Sequence, residues 1–189
     1  MGLFGNKNAN KTWEEPSKDQ MARAEQIVRN LMNRGITSDE QIGAALNDMA
    51  AGKGNNYVIV NALLLKASQL GNTDAMIQLG YIVEGDHDYK RACELFREAS
   101  DLGSGEAAFH YADRLLEGKG VDKDEKEAIR YFHMAVNRQF SPAVFRLGEI
   151  LSRNGQIDEA IQLYQKAIEL GLEPNRTRVT LNKLLKKKK

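Results

Sequence analysis

Disulfides, long linkers and membrane spans are all missing from this chain. It has one cysteine, Cys93, so no internal disulfide can form, and the staples that hold together small secreted domains are excluded. Three prolines and no dense Gly/Ser tract argue against a long linker. No run approaches the roughly 20 apolar residues that span a bilayer. Lysine and arginine number 27 against 26 acidic residues, so the chain as a whole projects no field toward nucleic acid or an anionic membrane. The opening Met1–Lys7 has no long apolar run after a basic segment, which argues against a signal peptide. Asn6 stands where a myristoylation motif on Gly2 needs Ser or Thr. A cytoplasmic location is expected.

A repeat is present instead. Four segments place an alanine four residues ahead of a glycine or its stand-in: Ala67 to Gly71, Ala99 to Gly103, Ala135 to Gln139 and Ala167 to Gly171. Their alanines are 32, 36 and 32 residues apart. A period in this range means stacked supersecondary units, each burying its apolar face against its neighbours.

Residues 1–18 are polar, with Asn6, Asn8 and Asn10 among Lys7 and Lys11, and bury too little to offset the entropy of ordering. A flexible arm is expected there. Trp13 is its lone tryptophan, read either as packing on the first helix or as docking elsewhere, in a groove of its own chain or on a partner. Ser17, then Met21, Ala24, Ile27, Val28 and Leu31, predicts a capped amphipathic helix closed near Gly35. Thr37 or Ser38 caps a second helix through Ile42, Ala45, Leu46 and Met49, ending at Gly52 and Gly54. A third runs from about Asn56 to Leu70. Helix pairs follow at 73–84 with 88–101, 105–117 with 124–138, and 141–153 with 157–170. A last amphipathic piece carries Val179, Leu181, Leu184 and Leu185. No convincing alternation marks a strand, so the chain is predicted to be all-α.

The central unit is the most explicit. It reads Ala107, Ala108, Tyr111-Ala112, Leu115, Glu117-Gly118-Lys119-Gly120-Val121, Asp124, Lys126-Glu127-Ala128, Tyr131-Phe132 and Ala135. This resembles the Sel1-like repeat, a relative of the tetratricopeptide repeat. Tyr111 to Ala128 spans 17 residues, whereas Leu79 to Ala92 and Leu147 to Ala160 each span 13; the difference matches the longer Sel1-type loop. The segment Gly155–Ile168 looks like a plain tetratricopeptide second helix. Small residues (Gly80, Ala112 and Gly148 facing Ala92, Ala128 and Ala160) let the two helices of a pair approach closely. The resemblance implies a right-handed α-α superhelix, a solenoid of stacked antiparallel helix pairs. Repeats are expected near 38–71, 72–103, 104–139 and 140–171 within a domain 19–182, with helices capping both ends and a basic tail at 183–189.

In arrays of this kind the first (A) helix of each pair lines the concave face. Matching offsets give Ile77, Phe109 and Phe145 as an apolar ladder. Tyr81, Asp113 and Glu149 lie four residues on, and Asp74, Glu106 and Pro142 three residues back, with Arg153 near the end. As a groove, this stripe suits a peptide with apolar anchors and basic residues. An aromatic stripe at helical spacing reads equally as core packing.

No catalytic chemistry emerges. His87, His110 and His133 lack the spacing of a zinc site on one helix, and Cys93 has no companion thiol. Asp113 and Glu117 could form a carboxylate pair, but no nucleophile, metal motif or phosphate loop accompanies them. Neither enzyme activity nor any cofactor is expected. Lys183 and Lys186–Lys189 form the one marked charge block. They suit the negative end of the last helix and solubility, and could also meet an acidic protein, a membrane or nucleic acid. No aromatic residue interleaves them, so nucleic acid is not expected, nor is a membrane. The expected partner is a protein or peptide, and the expected role is that of an adaptor or scaffold. Two alternatives stay open: self-association through the end faces, and a hydrolase-like activity of the sort assigned to some Sel1-repeat proteins.

Overall fold

The computed structural model describes residues 15–52 and 57–187. Trp13, Gly54, Lys188, Lys189 and the expected arm up to residue 14 lie outside them. Among the described residues there are ten helices and no strand. They are α1 (Lys18–Asn33), α2 (Asp39–Ala51), α3 (Tyr57–Gln69), α4 (Thr73–Gly85), α5 (Tyr89–Asp101), α6 (Gly105–Glu117), α7 (Glu125–Asn137), α8 (Ser141–Arg153), α9 (Ile157–Glu169) and α10 (Pro174–Lys187).

The chain divides into two compact units, α1–α5 and α6–α10, parting between Leu102 and Gly103. In the first, α2 packs on α3 and α4 on α5, with α1 laid mainly against α3. In the second, α6 packs on α7 and α8 on α9, while α10 covers α9. Each is a stack of antiparallel helix pairs, as the repeat spacing predicts.

Local chemistry sets the helix starts. Ser17 accepts from the Gln20 amide while the Gln20 side chain accepts from the Ser17 amide, a reciprocal capping box. Ser38, Asn72, Asp88, Ser104 and Asp124 each accept from the amide three residues on. The recurring alanines and glycines mark the ends. The Asn72 amide donates to the Ala67 carbonyl and the Gly71 amide to Ser68; Leu172 and Gly171 repeat the pattern on Ala167 and Ile168. These are Schellman closures, which need a left-handed residue next to the cap. Gly71, Gly103 and Gly171 have φ of 80°, 106° and 71°.

Gln139 fills that position in the third segment at φ 62°, where a side chain is strained. Gln139→Gly is therefore expected to raise stability by up to about 1 kcal/mol, the relief of strain exceeding the extra freedom glycine gives the unfolded chain. A urea midpoint that falls would contradict this.

The cores are apolar and closely packed. Leu46, Leu63, Leu64, Met76, Leu79, Val83 and Phe96 fill the first unit; Phe132, Val136, Leu147, Ile150 and Leu151 fill the second. Cys93 is buried and packs as a small apolar filler. Close approach within the pairs is real. A Cβ on Gly80 would come within 2.6 Å of the Phe96 ring, and one on Gly148 would overlap the Tyr164 phenol.

Candidate protein-interaction face

The expected face residues divide between the units. Asp74, Ile77 and Tyr81 stand on α4; Glu106, Phe109 and Asp113 on α6; Phe145, Glu149 and Arg153 on α8. On α4, Asp74 and Tyr81 are exposed, and Tyr81 makes an edge contact with Phe96 at 5.5 Å. Ile77 is 5% exposed and serves the core, so it presents no open anchor.

On α6 and α8 the aromatic positions are half-buried. Phe109 leans edge-on against Phe132 at 5.6 Å and lies 5.3 Å from Phe140. Phe145 sits 6.2 Å from Tyr164, and the Arg176 guanidinium covers its ring at 3.8 Å. Each ring packs against aromatic neighbours of its own unit and keeps part of its surface exposed, that of Phe145 beneath Arg176.

Charge on this face is partly compensated. The Arg146 guanidinium donates to the Asp113 carboxylate at 3.0 Å and approaches Glu149 at 3.7 Å. Asp113 is thus largely occupied, while Glu106 and Glu149 remain open to solvent. Arg153 pairs with Glu125 at 3.5 Å. Arg146 joins the α6 face to the α8 face, and Gln78 on α4 likewise reaches Asn47 on α2 at 2.7 Å. Gln78 and Arg146 hold one repeat position, directly before the Leu-Gly pair. Stripe counting passed it over, although its polar side chains three residues from the acidic ladder were the available signal.

Beside Glu149 lies a cleft of about 270 Å³ between α8, α9 and α10, lined by Gly148, Glu149, Ser152, Tyr164, Thr180, Lys183 and Leu184. Its size suits one side chain rather than a whole small ligand. Burial pushes the Tyr164 phenol up from its ordinary value, with Glu149 adding and Arg176 opposing, so the phenol keeps its proton.

His110, beside Phe109, is held below its ordinary value of 6.5, chiefly by burial. Glu106 opposes, Arg114 assists, and Asp113 opposes. A histidine whose folded pKa is lowered stabilises the fold above its unfolded value and loses that contribution as pH falls through the folded one. Stability is therefore expected to decline below about pH 6.5, and His110→Gln is expected to flatten that decline. Parallel pH–stability curves for the two proteins would contradict the assignment. Among the described residues no group of three or more His, Cys, Asp or Glu stands arranged for a metal ion.

Comparison with known proteins now decides the family. Sel1 repeat models match residues 73–104 and 105–139, and a tetratricopeptide repeat model matches 141–171; together they cover just over half of the chain. The chain belongs to the Sel1/tetratricopeptide repeat family. Repeats of this family mediate protein–protein interaction and are typically non-enzymatic adaptors. The protein named DAP3-binding cell death enhancer 1 is 32% identical over 98 residues in both Rattus norvegicus and Mus musculus. That match takes in 50% of this chain and spans only 19% of the relatives' length. Two solved structures share the fold. A Sel1 repeat protein from Oxalobacter formigenes superposes with a TM-score of 0.65 at 22% identity, covering 87% of this chain and 74% of that one. A protective antigen of uropathogenic Escherichia coli with an SLR fold gives 0.63 at 23%, covering 88% and 37%. The long loop of the central Sel1 repeat closes as its glycines require, with Gly118 and Gly120 at φ 68° and 80° and the Asp124 amide returning to the Leu115 carbonyl. Among the described residues no helix is long and apolar enough to cross a membrane.

Proposed function

We propose that this Sel1/tetratricopeptide repeat chain is a non-enzymatic adaptor or scaffold in the cytoplasm that captures a peptide segment of a protein partner on the concave face formed by its A helices. The observation that supports this reading is the Arg146–Asp113 bridge, which ties a side chain of α8 to one of α6. On that surface Phe109 and Phe145 offer half-open rings, and Glu106, Glu149 and Arg153 project to solvent. The cleft beside Glu149 takes one side chain of the bound segment. In the first unit, Asp74 and Tyr81 hold the matching helical offsets on α4. With Asp113 occupied by Arg146, Glu106 and Glu149 are the carboxylates left to select basic residues. The relative named as DAP3-binding supports a protein partner as the ligand class.

The test is affinity capture from native lysate with wild type and with a Glu106→Lys, Glu149→Lys variant, whose exposed positions leave the core intact. A protein held by wild type and lost by the variant, with unchanged circular dichroism, supports the face. Equal capture by both proteins sinks it. Self-association is the second reading; a mass that rises with concentration in light scattering would favour it over a monomeric peptide binder.

A further inference from the structure

Residues 174–189 contain seven lysines and arginines and no aspartate or glutamate, so the rest of this nearly neutral chain is net negative. The sequence alone leaves these cations open to helix-end complementation, to solubility or to an anionic partner. The structure sets the first of them on an ordered helix. Thr177, Leu181 and Leu184 of α10 are buried on its inner side. One helical turn is about 3.6 residues, so Val179, Asn182 and Lys186 stand on the opposite side, with Arg178 at one edge and Lys183, which also lines the cleft beside Glu149, at the other, all exposed. Arg176 is engaged with Glu173 and Phe145. Arg178, Lys183 and Lys186 form no ion pair with any described residue.

Favourable interaction with the helix dipole is confined to the last turn. Arg178 and Lys183 stand before the last turn of a helix ending at Lys187, so that account does not reach them. Three further features define what would meet this face. Lysine outnumbers arginine, and lysine is a point charge suited to a diffuse anionic surface, whereas arginine is the residue for forked carboxylate recognition. There is no aromatic residue to stack on a base. Val179, 56% exposed amid the cations, can enter an interfacial layer.

We propose that the outward face of α10 docks on an anionic lipid surface. The helix binds as a folded ridge, because its apolar side is committed to the core beneath. Attraction is therefore mainly electrostatic and is lost at high salt. The net negative remainder of the chain is repelled by the same surface, which fixes this face as the one that approaches.

The experiment is co-sedimentation of the full chain with phosphatidylcholine vesicles, with and without phosphatidylserine. Binding is expected only with phosphatidylserine. It should fall by at least about five-fold in Lys186→Glu, from the loss of one surface cation, and by about a hundred-fold or more in Arg178→Glu, Lys183→Glu, Lys186→Glu. Both variants should keep the wild-type circular dichroism. Failure to bind phosphatidylserine vesicles, equal binding to phosphatidylcholine alone, or unaltered binding by Lys186→Glu overturns the proposal. Tighter binding to polyglutamate or duplex DNA than to the mixed vesicles, at one salt concentration, overturns it in favour of an acidic protein or nucleic acid.

Discussion

Replacing Phe132 by alanine is expected to cost about 3–5 kcal/mol, the largest loss of any single truncation in the second unit. Phe132 is fully buried on α7, and its ring meets Phe109 of α6 edge-on at 5.6 Å. Truncation removes the transfer energy of the ring and leaves a cavity that the 13-residue helices around it cannot close without moving together. It also strips Phe109 of the surface that orients it. Phe109→Ala should cost less, since that ring is already half open. The double variant should reveal about 0.5–1.5 kcal/mol of coupling, the worth of an aromatic pair beyond its area. Urea unfolding checks both claims. Stability of a stacked array is a sum over repeats and their interfaces, so the slope as well as the midpoint must be followed; a lower slope means that the second unit unfolds separately. A Phe132→Ala loss below about 1 kcal/mol would show that the ring is not the keystone of the pair. A face that keeps its partner in Phe132→Ala, despite loss of stability, would remove Phe109 from the proposed anchors.

What the sequence made legible was whatever repeats. The 32- and 36-residue steps located the helix pairs within a few residues, because the alanine whose carbonyl accepts the closing hydrogen bond and the glycine that adopts a positive φ are fixed by backbone geometry. Gln139 disguised one such closure in residue type but not in spacing. The side-chain facing of the candidate site was harder to read. Ile77, Phe109 and Phe145 share one offset, yet Ile77 is buried while the two rings are half open; periodicity gives the angle of a side chain around its helix, not the depth of what surrounds it. Arg146 escaped for a related reason. Its meaning lies in reaching Asp113, 33 residues away on another helix, and no local pattern encodes that contact. The cations of α10 were visible as composition, but their separation onto an outward face needed the burial of Thr177, Leu181 and Leu184 to become apparent.

A single methyl group at Gly148 is expected to cost about 2–3 kcal/mol, near the upper end for overpacking a full core. The reason is direct: a Cβ at Gly148 would overlap the Tyr164 phenol, which is itself only 3% exposed and has little room to retreat. Gly80 faces the Phe96 ring in the same way, at 2.6 Å. The central repeat carries Ala112 at this position opposite the Phe132 helix, and it differs by its longer inter-helix loop. In the α4–α5 and α8–α9 pairs the glycine is needed because an aromatic ring of the second helix stands directly against it. If overlap is the cause, removing the ring relieves it, and Gly148→Ala with Tyr164→Leu should be less damaging than the sum of the two changes by about 1 kcal/mol or more. Additive costs would mean that the loss comes from helix flexibility or elsewhere, and the close-approach argument would fall. The pair also forms the wall of the cleft beside Glu149. Any helix displacement that admits the methyl must move that wall, so Gly148→Ala should weaken partner capture while leaving every charged residue of the face in place.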